Sequence, residues 1–313
     1  MTVLLTEGID AGAAWHYGDP FREQKALEAG RAGVDLSHRP VFTISGSDRL
    51  RWLNDITSQD FAALQPGTPT VAYILDAQGH LSHVFGAVDD GSTLWCHTEP
   101  GRGDGLLAWL RRMVFAARVE IAGRSEDHAL VLPPQSPHGR GPVVVPRDQV
   151  ESVLGDVRAG MWAMEAVRIA SGLPRIFLDT DERTIPNELA NPDAERLGPA
   201  VHLRKGCYPG QETVARVYNL GRPPRRLTLL HLDGTVDRLP PIGADVLLDG
   251  RAVGRMGSSE RHHELGPVGL ALLKRTVPTA ATLEVDGIAA AQEVLVDPDA
   301  GLHWRPERGL GRS

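Results

Sequence analysis

The sequence predicts an α+β protein in which a small β-barrel follows a larger region of helices and strands. A chain of 313 residues with 42% hydrophobic residues is long enough to bury more than one core. Between about residues 40 and 125, strand patterns alternate with helix patterns, which is typical of helices packed on a sheet. After Pro223-Pro224 the pattern changes to short strands separated by glycine turns, as in small barrels or sandwiches.

The elements of the first region follow from the spacing of apolar residues and from the turn residues between them. Ser47 or Asp48 is placed to cap the second helix, and Gly79 supplies the positive φ of a hairpin turn. The predicted elements are a helix over 21–32, a strand over 41–44, a helix over 50–56, strands over 71–75, 81–88 and 93–96, a helix over 100–112 and a strand over 119–121. This order indicates a ferredoxin-like lobe at about 40–125.

The second half contains a loop-rich connection, a helix, a long irregular segment and the barrel. Prolines and glycines over 133–149 predict the connection, and apolar spacing over 161–170 predicts a helix that ends near Gly172. The segment 173–200 has the composition of a long loop, and such loops are often functional. Barrel strands are predicted over 227–232, 245–248, 252–256, 269–273 and 281–285. The predicted domains are 1–224 and 225–300, followed by a flexible tail over 301–313.

Charge and cysteine content exclude several classes of protein. The net charge of −7 argues against a general binder of nucleic acid or anionic membranes. No leader-like start and no long apolar run is visible, which argues against a membrane protein. Cys96 and Cys207 are too far apart for a disulfide framework or a Cys-x-x-Cys site. We therefore expect a cytoplasmic protein, without nucleic acid or membrane partners, and a monomer.

The segment 205–212, which reads Lys-Gly-Cys-Tyr-Pro-Gly-Gln-Glu, has the highest density of chemical groups in the chain. Its glycines and proline indicate a tight loop that leads into a strand or a short helix. Positive charge lowers the pKa of a thiol, so Arg204 and Lys205 favour a reactive Cys207. A buried, inert thiol is the alternative for Cys207, and it is the interpretation for Cys96, which lies in an apolar strand.

This segment resembles the Lys-Gly-Cys-aromatic-x-Gly-Gln-Glu signature of the YgfZ-type proteins, folate-binding relatives of aminomethyltransferase T of the glycine cleavage system. The resemblance covers roughly residues 30 to 295. Residues 165–172 look like the Ala-Leu-Arg helix of these proteins, 185–188 like the Pro-x-Glu element that meets the pterin ring, and 250–258 like a barrel hairpin.

One position departs from the aminomethyltransferases. They carry an acidic pair after a Gly-Gly turn, and its aspartate is catalytic. His83 and Val84 stand at the corresponding positions here, so glycine-cleavage chemistry is not expected.

The resemblance implies a GcvT/YgfZ-like α+β fold: two interleaved lobes and a C-terminal β-barrel around a central folate pocket. It implies a tetrahydrofolate-binding accessory factor that supports assembly or repair of iron–sulfur proteins through the 205–212 motif. Its partners would be folate and iron–sulfur client or assembly proteins. The alternatives are a folate-dependent one-carbon transferase or demethylase, and a folate-binding scaffold in which Cys207 is only structural.

The predicted site joins Cys207, as the functional thiol, to a set of folate-binding residues that the resemblance implies. These are Asn187, Glu188, Lys205, Tyr208, Gly210, Gln211, Glu212, Arg216 and Arg226. Six Lys or Arg and one acid between Arg204 and Arg226 predict either an anion site for the folate tail or a solvated face. No metal is expected, because the adjacent His262 and His263 on a strand would point to opposite faces.

Overall fold

The structure is a computed structural model that describes residues 1–134, 141–193 and 195–300. The helices in these ranges are α1 (Pro20–Glu28), α2 (Arg49–Ile56), α3 (Gly103–Met113), α4 (Val150–Leu154), α5 (Met161–Ala170) and α6 (Gln211–Leu220), with 3₁₀ turns at Arg147–Gln149 and Pro186–Glu188. The strands are β1 (Val3–Leu4), β2 (Ala14–His16), β3 (Val34–Asp35), β4 (Val41–Ser45), β5 (Thr70–Leu75), β6 (Leu81–Asp89), β7 (Thr93–His97), β8 (Glu120–Gly123), β9 (His128–Leu132), β10 (Val143–Pro146), β11 (Arg196–Leu197), β12 (Val201–His202), β13 (Arg225–Leu232), β14 (Asp245–Leu248), β15 (Arg251–His262), β16 (Gly266–Lys274), β17 (Leu283–Val285) and β18 (Ile288–Val294). The predicted tail at 301–313 lies outside the described residues.

The first lobe is a five-stranded antiparallel sheet with two helices on one face. Its strand order is β5-β6-β7-β4-β8, and β5, β6 and β7 form a meander. Because side chains alternate along a strand, one set of residues points to α2 and α3. This set forms a core with Ile44, Ile74, Phe85, Leu94 and Cys96. The alternate set on β5, β6 and β7 faces away from these helices.

The start of α2 agrees with the predicted position of its cap, but the capping interaction is different. Asp48 is the N-cap residue, yet its side chain makes no cap hydrogen bond. It accepts instead from the backbone N–H of Arg118 at 2.8 Å and from the Arg118 guanidinium at 3.1 Å. The side chain therefore ties α2 to the segment that enters β8.

A second sheet lies in the region predicted as a loop-rich connection. β10 pairs with β9, and β9 pairs with β3, to make a three-stranded antiparallel sheet. The loop prediction for 133–149 was therefore wrong over Val143–Pro146, where a run of three valines forms a strand between prolines. Residues 135–140 lie outside the described ranges.

The C-terminal strands close into a barrel with the order β13-β16-β15-β14-β17-β18, which confirms the predicted α+β fold with a C-terminal barrel. Apolar side chains from every strand fill it, among them Leu230, Val246, Met256, Leu273 and Val285. The limits of the predicted domains, 1–224 and 225–300, stay a prediction.

A buried cluster of charged and polar groups joins α5 and the 173–200 segment to the barrel. One carboxylate oxygen of Asp179 accepts from the Arg168 guanidinium at 2.8 Å. The other accepts from the backbone N–H of Ser258 at 2.6 Å and from its hydroxyl. A Cβ added to Gly257 would lie 2.5 Å from this carboxylate, so glycine is needed for the close approach. Asp179 thus fixes the barrel against the rest of the chain.

Within the described ranges, every helix is too short or too polar to cross a membrane.

Candidate functional site

A cavity of about 540 Å³ lies on the face of the five-stranded sheet that α2 and α3 leave uncovered; we call it the sheet-face cavity. Its wall on this sheet comes from alternate residues, including Val71, Gly86, Val88, Trp95 and His97. Val143 and Val144 of β10 supply further apolar lining, and Arg196 and Pro199 complete it. Cavities of this size that are mainly apolar with a few polar groups are typical of small-molecule sites.

His97 is the main titratable group in this wall. Burial and the positive charge of Arg39 lower the pKa of His97 to about 3, so the imidazole is neutral near pH 7. A Cβ added to Gly86 would lie 2.3 Å from His97 Nε2, so the glycine leaves the space that the ring occupies. The cavity therefore offers a neutral imidazole that can donate or accept a hydrogen bond.

Lys205 makes contacts that the sequence did not predict, and its predicted folate-binding role stays a prediction. Its Nζ donates to the carbonyls of Asn54 and, at 2.6 Å, of Thr57, which are orphan acceptors at the end of α2. It also lies 4.8 Å from the ring centroid of Tyr208, and burial lowers its pKa to about 8. Lys205 thus attaches the 205–212 motif to the first lobe. Its ammonium group is hydrogen-bonded to the backbone carbonyls of Asn54 and Thr57.

Gly210 lets the motif pack on the β5–β6 turn. It has φ +78, and a Cβ there would lie 2.5 Å from the carbonyl oxygen of Asp76. The following residues form the helix α6, so the short-helix alternative is correct and the strand alternative is wrong. Tyr208 is buried and donates its backbone N–H to Gln211 Oε1 at 3.3 Å, while Glu212 is exposed in the first turn of α6. Tyr208, Gly210 and Gln211 therefore build the loop itself.

The two glycines of the motif give a matched pair for testing this geometry. Gly210→Ala should cost about 1–3 kcal/mol of unfolding free energy, because it adds a strained positive φ and a clash with Asp76. Gly206→Ala should be nearly neutral, since no atom lies within 4 Å of its added Cβ. Urea unfolding of both variants measures the difference, and equal losses would contradict the close contact at Gly210.

The structure places the two thiols in opposite environments. Cys207 is exposed, whereas Cys96 is buried in the core of the first lobe. Burial and the nearby Asp89 carboxylate raise the pKa of Cys96 well above its usual range. Only Cys207 therefore combines a thiol with access for a reagent or a partner.

Alkylation should distinguish the two thiols. We expect iodoacetamide to label Cys207 at least about 100-fold faster than Cys96 at neutral pH, because a buried thiol with a raised pKa is inert. Peptide mapping of the folded protein measures both rates, and the urea-unfolded protein is the control in which they should converge. Equal rates in the folded protein would contradict the burial of Cys96.

Glu188 is fully buried and already paired. Its two carboxylate oxygens each accept from the Arg225 guanidinium at 2.8 Å, and one also accepts from the backbone N–H of Ile185. Asn187 is buried, donates to the carbonyl of Val214 at 3.3 Å, and leaves its side-chain oxygen without a partner. Neither residue lines the sheet-face cavity, so the structure does not bring them to it.

The predicted basic patch is not one continuous surface. Arg226 lies inside the barrel and donates to Thr228 Oγ1 at 2.6 Å and Gln292 Oε1 at 2.8 Å. Arg225 and Lys205 are also held by protein acceptors, and Arg222 pairs with Asp299 at 3.1 Å. Arg204 and Arg216 are exposed. The prediction of a single anion site was wrong, because positions that are adjacent in sequence here face different interiors.

His262 and His263 converge on one carboxylate, contrary to the prediction that they point apart. Their Nε2 atoms lie 3.0 and 2.5 Å from the oxygens of Glu28, because the strand ends there and the chain turns. The Nδ1 atom of His262 accepts two backbone N–H groups, so its Nε2 carries the proton. That tautomer suits a hydrogen bond to Glu28, which links the barrel to α1, and opposes metal binding at Nε2.

Sequence reasoning missed His97, Trp95, Gly86 and Arg196 as residues of a common cavity. The available signal was the alternation of β6 and β7, whose apolar set Phe85, Leu94 and Cys96 is buried under the helices. The opposite set contains a glycine and a histidine at facing positions, Gly86 and His97. A glycine facing a polar ring on an uncovered sheet face is a sign of a site.

Known proteins that are similar in sequence to this chain include ones of the type that its 205–212 motif resembles. No protein-family model matches the chain. It is 27% identical over 319 residues to the tRNA-modifying protein YgfZ of Klebsiella pneumoniae, a match that covers 88% of this chain and 89% of that protein. The chain is thus similar to a YgfZ protein over most of its length. It is also 27% identical over 231 residues to the mitochondrial iron–sulfur cluster assembly factor IBA57 homolog of Mycosarcoma maydis, with 64% of this chain and 57% of that protein covered.

The fold of the chain is that of aminomethyltransferase T. The crystal structure of glycine cleavage system aminomethyltransferase T from Bartonella henselae superposes with a TM-score of 0.74. The match covers 93% of this chain and 92% of that chain at 18% sequence identity. At this identity the similarity shows the fold alone.

Proposed function

We propose that this protein binds a reduced folate, tetrahydrofolate or a derivative, and supports the assembly or repair of iron–sulfur proteins. The observation that carries the proposal is the sheet-face cavity, which has the size and the mainly apolar wall that a folate requires. The names of two relatives, an iron–sulfur cluster assembly factor and a tRNA-modifying protein, support a role in protein or tRNA maturation.

The cavity walls match the two ends of a folate. A planar pterin ring is accommodated by the valines of β6 and β10 and by the indole of Trp95, with His97 as a hydrogen-bonding partner. The folate tail carries carboxylates, and the exposed Arg196 lies at the edge of the cavity. In this proposal Arg196 takes the role that the sequence assigned to the basic patch, while Glu188 and Arg225 form an ion pair that does not line the cavity.

Cys207 is the proposed point of contact with client proteins. It is an exposed nucleophile on a loop that Lys205 and Gly210 hold in place. Since Cys96 is buried, one chain does not offer the four thiolates of an ordinary cluster site. The protein is therefore proposed to act on the clusters of other proteins, in the cytoplasm, rather than to hold a stable cluster. The expected absence of nucleic acid stays a prediction, since the name of one relative includes tRNA.

A one-carbon transferase is the second candidate, and the aminomethyltransferase fold favours it. At the position of the missing acidic pair, His83 lies 6.0 Å from the ring of Trp109, and burial lowers its pKa. Among the described residues, the charged groups that act on His83 are the cations Arg102 and Arg112. Transfer of a one-carbon unit from a methylamine donor to tetrahydrofolate by the purified protein would establish the second candidate.

Client support in cells tests the role of the thiol. In cells that lack this protein, the activities of several iron–sulfur enzymes should fall, and the wild-type gene should restore them. Cys207→Ser should fail to restore them, because serine has no nucleophilic thiolate. Cys96→Ser is the matched control and should restore them if its folding is intact. Full restoration by Cys207→Ser would contradict a functional thiol. The 205–212 motif would then be only a structural loop of a folate-binding scaffold.

A further inference from the structure

One face of the helix α3 carries two exposed arginines and a half-buried tryptophan. Arg102, Trp109 and Arg112 follow one another at intervals of seven and three residues, so they lie in one row along the helix. Phe115 comes three residues after Arg112, just beyond the end of α3, and it is 85% exposed. We call these four residues the α3 row.

The α3 row lies on the helix-covered face of the five-stranded sheet. The ring of Trp109 is 6.0 Å from that of His83 on β6. His83 pairs with Ile74, whose side chain lies in the core under α2 and α3. Directly paired residues point to the same face of a sheet, so His83 and Trp109 are on the side opposite the sheet-face cavity. The α3 row is therefore separate from the proposed folate site.

The α3 row is locally positive in a chain whose net charge is −7. Among the described residues, no carboxylate forms an ion pair with Arg102 or Arg112. Burial, and after it the charges of these two arginines, lowers the pKa of His83, which places both guanidinium groups on one side of the lobe. Asp104, the acidic residue of α3, lies about 200° around the helix from Arg102. The row therefore offers two cations that an acidic partner could pair with.

Arg102 is held in position before any partner binds. The central carbon of its guanidinium lies 4.2 Å from the ring centroid of Phe177. A guanidinium stacked on an aromatic face keeps the N–H donors at its edge free for a carboxylate. Because the side chain is already ordered, less rotamer entropy is lost when a partner binds.

We propose that the α3 row is a docking surface for an acidic segment of a partner protein, in which carboxylates flank an apolar side chain. Arg102 and Arg112 are about 15 Å apart along the helix, a distance that an extended segment spans in about four or five residues. Carboxylates at that separation pair with the two guanidinium groups, and the apolar side chain between them packs on Trp109. Arginine and aromatic residues are enriched at protein interfaces, which agrees with the composition of the row.

A nucleic acid fits the α3 row less well than a short acidic segment does. Its phosphates continue past the row and meet a surface whose net charge is negative. A short segment contacts the row alone.

Fluorescence anisotropy with a labelled acidic peptide tests the proposal. The probe is fluorescein-labelled Gly-Glu-Asp-Ser-Leu-Glu-Asp-Gly, and the full-length protein should bind it at least about tenfold more tightly than the peptide with Gln and Asn in place of Glu and Asp. Arg102→Gln and Arg112→Gln should each weaken binding about threefold, and the double variant about tenfold. Phe115→Ser should also weaken binding about threefold, because an apolar contact is lost.

Two exposed barrel residues supply matched controls. Arg251→Gln and Leu265→Ser make the same kinds of change away from α3 and should bind the probe as the wild type does. Affinity for the probe should fall between about 0.05 and 0.5 M salt, since the pairs are at the surface. Far-UV circular dichroism of each variant checks that the fold is intact.

Four results would overturn the proposal. They are absent binding of the acidic peptide by the wild type, equal binding of the neutral peptide, an unchanged affinity in the Arg102→Gln, Arg112→Gln double variant, and a loss of the same size in Arg251→Gln. Tighter binding of a labelled oligo(U) RNA of eight nucleotides than of the acidic peptide would likewise overturn it, because the surface would then be one for nucleic acid.

Discussion

Replacing Asp179 with alanine is expected to lower the free energy of unfolding by about 3–5 kcal/mol, as when one partner of a buried ion pair is removed. The side chain of Asp179 is fully buried, and it accepts from Arg168, from the backbone N–H of Arg175 and from Ser258. All these donors lose an acceptor at once in the variant. Urea unfolding monitored by circular dichroism measures the change.

Asp237→Ala is the matched control for Asp179→Ala. Asp237 also pairs with an arginine, Arg261, at 2.8 Å, but its side chain is fully exposed. Solvent screens such pairs, so this substitution should have almost no effect on stability. Losses of similar size in the two variants would contradict the claim that Asp179 joins the barrel to the rest of the chain.

Val88→Trp is expected to weaken tetrahydrofolate binding by on the order of 100-fold or more, about 2.7 kcal/mol. Val88 lies on the uncovered face of the sheet, and an indole there would occupy the space proposed for the pterin ring. The fold should tolerate the change, because the added volume enters a cavity instead of a packed core. Calorimetric titration of tetrahydrofolate into both proteins measures the loss.

Val294→Trp is the control for Val88→Trp. Val294 is an exposed residue of the barrel and does not line the sheet-face cavity, so this variant should bind folate like the wild type. If Val88→Trp binds tetrahydrofolate as tightly as the wild type, the ligand does not occupy the sheet-face cavity.

Local patterns in the sequence predict much of this fold. The helix predicted over 161–170 matches α5 at both ends, and the strand predicted over 245–248 matches β14. The strand β10 was missed because prolines and glycines dominate the region around its three valines. Its pairing with β9 is a long-range contact, which local composition does not encode.

The site was harder to predict than the fold, because it depends on which surfaces remain uncovered after packing. The motif at 205–212 is readable in sequence, and it does place Cys207 at the surface. Glu188 and Arg226 look like exposed ligands in sequence, yet one is paired with Arg225 and the other fills the barrel. His97 and Arg196 come together only because β6, β7 and the segment before β12 meet around one cavity.

A crystal structure of the protein with tetrahydrofolate tests the central claim most directly. We expect the pterin ring to lie in the sheet-face cavity, between Val88 and Val143, within hydrogen-bonding distance of His97. We also expect a tail carboxylate to contact Arg196. Folate bound at any other place, or an unoccupied cavity at a saturating concentration of tetrahydrofolate, would contradict the account.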